Sequence, residues 1–424
     1  MKKVLAFSAK TIVVVFSLSL LIWLTKHSYS KEKEFGFVGE TIRYLGDFPD
    51  MFSKAVEEVQ KLPETFVLTP SNFKDINDLN QDVKLLSAFT SKPKERSVQL
   101  FNLRDNQLLH SWKIPNPFQP HDRIMDPVLF SDSSLCYSFN GVSGITKIDK
   151  LGNVVWKQED IIHHHSMQID EDENIWACAY VREPNGHIFY KTTFQLGEKK
   201  LWCVDNVIVK LDHITGQILF VKSISEMLKE NQLEHLLLKT ANIDDPFHIN
   251  DIEPATYDSP YFKKGDVFIS SRNLSSIIHY RPINNQVIQV ISGPFYCQHD
   301  VDIINDSTLL FFNNNTFVNE AQNNWANPHS KEPIEIDNFQ SNIMSYSLSS
   351  NTFNVIEEDV FITNEIFTNT EGMVQQLNDS TYFVEEQNSG VLWVINNEKV
   401  VYKNVLPSQH EGYHHLPNWI KVIK

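Results

Sequence analysis

The sequence predicts an all-β protein, a six-bladed β-propeller that follows an N-terminal hydrophobic helix and a short linking helix. Helical periodicity nearly disappears after residue 80, where short apolar strands alternate with Asn, Asp, Ser and Gly turns. A four-stranded unit recurs six times in this region. A single sheet of this size cannot bury both faces, so the units must stack, and radial closure removes the exposed end faces.

The N-terminal segment has the form of an export signal. Lys2 and Lys3 precede an apolar run over residues 11–24, which is shorter than the roughly 20 residues of a full membrane span. We assign residues 1–30 to a cleaved signal peptide or to an uncleaved membrane anchor. Both alternatives predict an extracytoplasmic, periplasmic location, and the anchor would tether the protein to the inner membrane through residues 11–24.

Residues 31–79 form a predicted linker with a short helix. Phe52, Val56 and Val59 stand at helical spacing within residues 47–62, and Asp50 is a candidate N-cap. Residues 80–424 form the predicted six-bladed β-propeller domain.

The repeated unit has a recognisable pattern. An alternating first strand, a polar turn and an apolar second strand lead to a third strand of the form Ile-x-Lys-Ile/Leu-Asp and then to a fourth strand. Copies occupy residues 83–112, 128–156, 165–220, 248–290, 299–356 and 373–402. Residues 182–205 and residues 224–239 are insertions, and the second has an amphipathic helical pattern. A large β-sandwich is the alternative, but its strands would not repeat the third-strand element.

Composition excludes several classes of protein. The formal net charge is −16 and no basic run is present, which argues against a nucleic-acid partner. An anionic small substrate would therefore need a local positive pocket. The four cysteines contain no CxxC pair, which argues against a zinc ribbon or a disulfide framework. Cys178 and Cys203 either form a bridge or are buried thiols like the other two.

Polar residues recur at one edge of successive units. His165, His248 and His299 open the first strands of three consecutive copies, and first strands line the channel of a propeller. Antiparallel pairing places the end of the second strand beside the start of the first, so Arg272 should lie beside His248. The same geometry places the Asn313–Asn314 pair beside His299, and alternation places Asn250 on the side of His248. A single strand-end histidine is usually structural, but three in register predict a polar pocket.

The chemistry of this pocket favours an oxyanion ligand. Imidazoles, a guanidinium and amides around a channel mouth suit a tetrahedral anion such as sulfate or phosphate. Neutral histidine also offers a nucleophilic nitrogen. The sequence has no P-loop, GxSxG, HExxH or Rossmann glycine pattern, so nucleotide-dependent chemistry is unsupported.

The central stretch resembles the bacterial arylsulfate sulfotransferases. The resemblance rests on His-Ile-Asn at 248–250, Ser-Ser-Arg at 270–272, Gln-His-Asp at 298–300 and Leu-Phe-Phe-Asn-Asn at 310–314, and it extends more weakly over about residues 80–420. His-His-Ser at 164–166 is similar to that family's His-His-Asp element. Ser166 and Phe312 depart from the family pattern, which has Asp at both places. The resemblance implies an extracytoplasmic six-bladed propeller, in agreement with the repeats.

The resemblance also implies an activity. It is the transfer of a sulfuryl group from an aryl sulfate to a phenol through a sulfohistidine, without a nucleotide donor, and His299 matches the nucleophile. The implied catalytic residues are His299, His248, Arg272 and His165, and the implied substrate-binding residues are Asn250, Asn313, Asn314 and His164. The implied partners are small aromatic sulfates and phenols. No metal or cofactor is implied.

Two other functions remain open at this point. The first is a non-catalytic extracytoplasmic propeller that binds an anionic ligand or a protein partner. The second is a metal-dependent hydrolase that uses His163, His165 and the channel histidines, although no Asp or Glu is evidently paired with them. The sequence does not indicate an oligomeric state.

Overall fold

The structure is a computed structural model. It describes residues 17, 19, 20, 65–92, 94–119, 122–181, 191–196, 199–240, 242, 245–316 and 340–423. Residues 64–424 form one compact unit. Apart from the three residues near the N-terminus, the predicted hydrophobic helix and the linking helix at 47–62 lie outside the described residues. Within the described part of the chain, no helix has both the length and the apolar character that crossing a membrane requires.

Twenty-nine strands make up most of the described chain. The first nine are β1 (Phe66–Leu68), β2 (Ile76–Asn77), β3 (Lys84–Lys92), β4 (Glu95–Asn102), β5 (Gln107–Pro115), β6 (Val128–Leu129), β7 (Leu135–Tyr137), β8 (Ile145–Ile148) and β9 (Val154–Gln158). The next ten are β10 (Ile161–Ile169), β11 (Ile175–Val181), β12 (Lys191–Leu196), β13 (Lys199–Val204), β14 (Val207–Leu211), β15 (Ile218–Ser223), β16 (Ile249–Pro254), β17 (Val267–Ser271), β18 (Ser276–Arg281) and β19 (Gln286–Ile291). The last ten are β20 (His299–Asn305), β21 (Thr308–Asn313), β22 (Asn342–Ser347), β23 (Thr352–Ile356), β24 (Met373–Asn378), β25 (Thr381–Glu386), β26 (Val391–Asn396), β27 (Lys399–Pro407), β28 (Tyr413–His415) and β29 (Lys421–Ile423).

The all-β propeller prediction is confirmed, whereas the prediction of a six-bladed propeller is wrong, because the described residues form five four-stranded blades. Five sheets have four strands, in the orders β29-β3-β4-β5, β6-β7-β8-β9, β10-β11-β14-β15, β16-β17-β18-β19 and β20-β21-β22-β23. The last repeat, β24 to β27, lies in a seven-stranded sheet together with β1, β2 and β28, and β12 pairs only with β13. The repeat pattern located the strands but could not show these additions, because the added strands are too short to carry a repeat. Residues of the predicted linker therefore contribute β1 and β2.

First strands of neighbouring sheets pack against one another around the channel. Side chains of one first strand accept hydrogen bonds from backbone N–H groups of the next. The pairs are Asp126 Oδ2 with Met167 N at 2.5 Å, Asp251 Oδ2 with Val301 N at 2.7 Å, Asp300 Oδ2 with Val374 N at 2.6 Å and Gln375 Oε1 with Val422 N at 2.7 Å. The last pair joins β24 to β29, a strand of the first sheet. These bonds fix the register between sheets.

Between residues 65 and 423, the helices of the described residues are the short segments α1 (Ile224–Glu230) and α2 (Glu358–Thr363) and the 3₁₀ turns Glu234–Lys239 and Pro282–Asn284. Ser223 caps α1 by accepting the backbone N–H of Glu226 at 3.0 Å. The predicted helix over residues 224–239 is thus divided into α1 and a 3₁₀ turn. Its apolar side packs in a cluster with residues of β11 and β16 that includes Phe247 and Ile249.

The four cysteines are free thiols in the interior. Burial raises the pKa of Cys203 to about 12, and it also raises that of Cys178. Cys178 and Cys203 are therefore two buried thiols in this structure and do not form a disulfide bridge.

Replacing Gln375 by Leu should weaken closure between β24 and β29. The Leu side chain has similar volume, but the Val422 N–H loses its acceptor, which costs about 1 kcal/mol of unfolding free energy. Urea denaturation monitored by tryptophan fluorescence measures this loss. Gln217→Leu is the control, because Gln217 is exposed and should leave the midpoint near that of the unaltered protein. Equal stability of the two variants would contradict the closing role of Gln375.

Candidate functional site

Strained backbone occurs just before or within the channel-lining strands. Asp126, His165, His248, Asp300 and Trp419 have φ values of 48°, 56°, 39°, 56° and 56°. The left-handed region is unfavourable for residues with a Cβ, and such strain concentrates at functional sites. Pairing shifts register at the same places in β10, β16 and β20. Because a bulge redirects side chains, simple alternation does not hold at these positions.

Three histidines from three sheets meet at the channel, as predicted. The ring centroid of His165 lies 5.0 Å from that of His248 and 6.4 Å from that of His299. The ring centroid of Trp419 lies 5.9 Å from that of His165 and 6.0 Å from that of His299, and Trp419 is 1% exposed. Trp419 was not predicted as a site residue, because Trp419 follows the last repeat and corresponds to no position of the repeated unit. The indole closes one side of the histidine cluster.

His299 is held as a neutral imidazole. Its Nδ1 donates to Asn314 Oδ1 at 2.6 Å and lies 3.0 Å from the Cys297 carbonyl oxygen. Since both of these atoms are acceptors, the ring proton resides on Nδ1 and Nε2 keeps its lone pair. Burial, and then the charge of Arg272, hold the pKa of His299 well below its usual value. His299 therefore presents an unprotonated nitrogen, the form required of a nucleophile.

Arg272 supplies the buried positive charge that helps to lower the pKa of His299. Its backbone N–H donates to the His248 carbonyl at 3.1 Å, which confirms the predicted adjacency of the two strand ends. Arg272 is 8% exposed, and its Nη1 donates to Asn273 Oδ1 at 3.0 Å. No carboxylate of the described residues forms an ion pair with it. A buried cation without an acidic partner is costly, and an anionic ligand would offset that cost.

His248 differs from the other two histidines. Its Nδ1 donates to Asp245 Oδ2 at 2.6 Å, and its side chain is 26% exposed. By contrast, the His165 ring bonds to the ring of His164. The His299 ring bonds to the Asn314 amide oxygen and to the Cys297 carbonyl oxygen. Burial also lowers the pKa of His165 well below its ordinary value. The site thus combines two neutral imidazoles with one that is paired to a carboxylate.

His164 lies behind His165 and stacks on Tyr180 at 4.1 Å between ring centroids. Its Nδ1 is 3.2 Å from His165 Nδ1, and burial lowers the pKa of His164 to about 3. The neighbouring His163 is fully buried with Nε2 3.2 Å from the Ser166 carbonyl oxygen. Among the described residues, no three His, Cys, Asp or Glu side chains are arranged to hold a metal ion.

The three predicted asparagines are engaged with the scaffold. Asn314 orients His299 and donates Nδ2 to the Thr368 carbonyl at 2.9 Å. Asn313 accepts backbone N–H groups of Tyr296 and Asn315 at 3.0 and 3.1 Å. Asn250 donates Nδ2 to the Gln298 carbonyl at 2.8 Å, and its buried Oδ1 has no hydrogen-bond partner among the described residues. In this arrangement the amides position the loops that carry His299 and Arg272.

Comparison with known proteins places these residues in a wider group. The model of the family described as Arylsulfotransferase (ASST) matches residues 126–405. No curated protein matches this chain. Similar solved structures include a protein of unknown function from Bacteroides caccae, with 11% identity over 81% of this chain and 100% of the other and a TM-score of 0.47. Another is virginiamycin B lyase from Staphylococcus aureus, with 11% identity over 84% and 100% and a TM-score of 0.39.

The buried His163 predicts a specific pH dependence of stability. Burial lowers its pKa to about 4 from the ordinary 6.5. The unfolded chain then binds a proton more readily than the folded protein, so stability falls as the pH drops below 6.5 and levels off near 4. The contribution between pH 7 and pH 5 is about 2 kcal/mol. His163→Gln, which does not titrate, should remove that part of the slope in urea unfolding at the two pH values.

The matched control for this measurement is His235→Gln, because His235 is exposed. It should leave the difference between pH 7 and pH 5 as in the unaltered protein. An unchanged slope in the His163 variant would show that His163 is not kept neutral by the fold.

Proposed function

This chain belongs to the arylsulfotransferase family, and from that premise we propose that it transfers a sulfuryl group from an aryl sulfate ester to a phenolic acceptor without a nucleotide donor. The observation that supports the proposal most strongly is His299. Its Nδ1 is held by Asn314 at 2.6 Å, and its Nε2 is unprotonated because burial and the charge of Arg272 lower its pKa. Among the described residues, the buried Arg272 has no acidic partner. An imidazole fixed in this tautomer is suited to attack sulfur.

In the first step Nε2 of His299 attacks sulfur, an N–S bond forms and the bond from sulfur to the aryl oxygen breaks. The sulfuryl group stays on His299 as a sulfohistidine, and the phenolate oxygen leaves with a proton from a neighbouring histidine. The acceptor phenol then attacks sulfur, gives its proton back and releases His299. Such an exchange has ping-pong kinetics.

Arg272 is proposed to bind the sulfuryl oxygens. A guanidinium offers several N–H donors in a plane and remains cationic, so it stabilises the charge that develops on these oxygens during transfer. His165 would add a further donor from the opposite side of the cluster. Asn314 would orient the His299 ring through its hydrogen bond to Nδ1. Asn250, Asn313 and His164 would support the pocket by holding the backbone and the His165 ring in place.

We also propose that the protein acts outside the cytoplasm. The export-signal pattern at residues 1–30 supports a periplasmic site of action, with tethering to the inner membrane if residues 11–24 are retained. A transfer that needs no nucleotide sulfate suits a compartment without such a donor.

Replacing His299 by Ala should abolish sulfuryl transfer. With 4-nitrophenyl sulfate as donor and phenol as acceptor, nitrophenol release should fall on the order of 10⁴-fold or more, because the nucleophile is lost. Intact-mass analysis after incubation with donor alone should show one added SO₃ group on the unaltered protein and none on the variant. His235→Ala, an exposed histidine, is the control and should retain both signals.

Two outcomes would overturn the proposed function. Equal turnover by the His299 variant would remove His299 from its role. Saturable binding of aryl sulfates by both proteins, without phenol release or a mass change, would indicate a binding propeller instead.

Arg272→Lys should lower kcat about 10²-fold while the fold is retained, because a point charge replaces a planar donor fork. Steady-state kinetics with 4-nitrophenyl sulfate measure the loss. Arg281→Lys is the matched control. Arg281 Nε pairs with Asp266 Oδ1 at a distance of 2.7 Å, and this ion pair lies outside the histidine cluster. Similar kinetics for the two variants would argue against contact between Arg272 and the sulfuryl group.

A further inference from the structure

Two site residues share one support, Asp245, whose carboxylate holds His248 and whose backbone carbonyl holds Asn273 next to Arg272. Asp245 Oδ2 accepts His248 Nδ1 at 2.6 Å, and Oδ1 accepts the backbone N–H of His248 at 3.3 Å. The Asp245 carbonyl accepts Asn273 Nδ2 at 2.6 Å, and Asn273 Oδ1 in turn accepts Arg272 Nη1 at 3.0 Å. One residue just before β16 therefore anchors an imidazole directly and a guanidinium through an amide.

The three clustered histidines are not equivalent as proton donors. Among the described residues, only His248 of the three is hydrogen-bonded to a carboxylate, and it is the most exposed of the three, with a side chain 26% exposed. With Nδ1 committed to Asp245, Nε2 lies on the opposite edge of the ring, where it forms no hydrogen bond with another described residue and can donate in the imidazolium form. A carboxylate at 2.6 Å stabilises the positively charged imidazolium.

We propose that Asp245 is a positioning residue that makes His248 the acid and base for the leaving and entering phenols. This inference rests on the proposed sulfuryl transfer. As the bond between sulfur and the aryl oxygen breaks, His248 Nε2 gives its proton to the phenolate oxygen and becomes neutral, while Nδ1–H stays on Asp245. In the second half-reaction the acceptor phenol returns a proton to Nε2 as its oxygen attacks sulfur and the N–S bond breaks. No proton is gained or lost over the cycle.

The test is the dependence of rate on the acidity of the leaving phenol. Asp245→Asn keeps an acceptor for Nδ1 but removes the negative charge that supports the imidazolium. Release of 4-nitrophenol, which needs little protonation, should stay within a few-fold of the unaltered rate. Release from phenyl sulfate and 4-methylphenyl sulfate should fall on the order of 10²-fold. The plot of log kcat/KM against leaving-group pKa should therefore become steeper.

Further variants separate positioning from a merely structural role. Asp245→Glu keeps the carboxylate and should restore part of the original slope. Adding His248→Gln to Asp245→Asn should steepen the plot no further than His248→Gln alone. Glu173→Gln is the control, because it removes a carboxylate 4.0 Å from His213, outside the site, and should leave the slope unchanged.

The failures of the two proposals are distinguishable. A uniform loss across all leaving groups, or an unchanged slope in a folded Asp245→Asn protein, would overturn the role of Asp245 and leave the transfer reaction standing. Absence of turnover by the unaltered protein with every aryl sulfate would overturn both.

Discussion

A hydrogen bond between the carboxylate of one channel-lining strand and a backbone N–H of the next is the interaction on which the site depends. Asp251 accepts Val301 N at 2.7 Å, and Asp300 accepts Val374 N at 2.6 Å. Asp251 follows Asn250, and Asp300 follows His299, so these bonds set the relative positions of the strands that carry the site. In β10 a hydroxyl, that of Ser166, stands where the carboxylate is expected. The inner ring is thus fastened by side chains adjacent to the residues that gather at its mouth.

Backbone strain is concentrated at the same places. His165, His248 and Asp300 adopt left-handed conformations although each carries a Cβ, and each lies at or beside a register shift. Conformations of this kind cost on the order of 1–3 kcal/mol each and persist only where the surrounding structure imposes them. Here the buried hydrogen bonds between strands impose them. As a result, the ring centroids of His248 and His299 lie 5.0 and 6.4 Å from that of His165, and the three residues come from three sheets.

Charge is distributed unequally over this small volume. The chain is acidic as a whole, with a formal net charge of −16, yet the site holds a buried guanidinium without an acidic partner among the described residues. Burial keeps His165 and His299 neutral by lowering their pKa values. His248, in contrast, has the carboxylate of Asp245 at 2.6 Å from its Nδ1. The same residue type therefore serves as a neutral nitrogen base in one place and as a partner of a carboxylate in another, because the neighbours differ.

The sequence alone determined the all-β class, the positions of the repeated strands and the meeting of His165, His248, His299 and Arg272, because strand periodicity and antiparallel pairing are local properties that recur in each copy. Tertiary structure alone decided the rest. The seven-stranded sheet, the arrival of Trp419 beside the histidines and the engagement of the asparagines with the scaffold depend on contacts between segments far apart in the chain. The pairing of Asp245 with His248 spans only three residues, but it requires a loop geometry and a left-handed His248 that no residue pattern encodes.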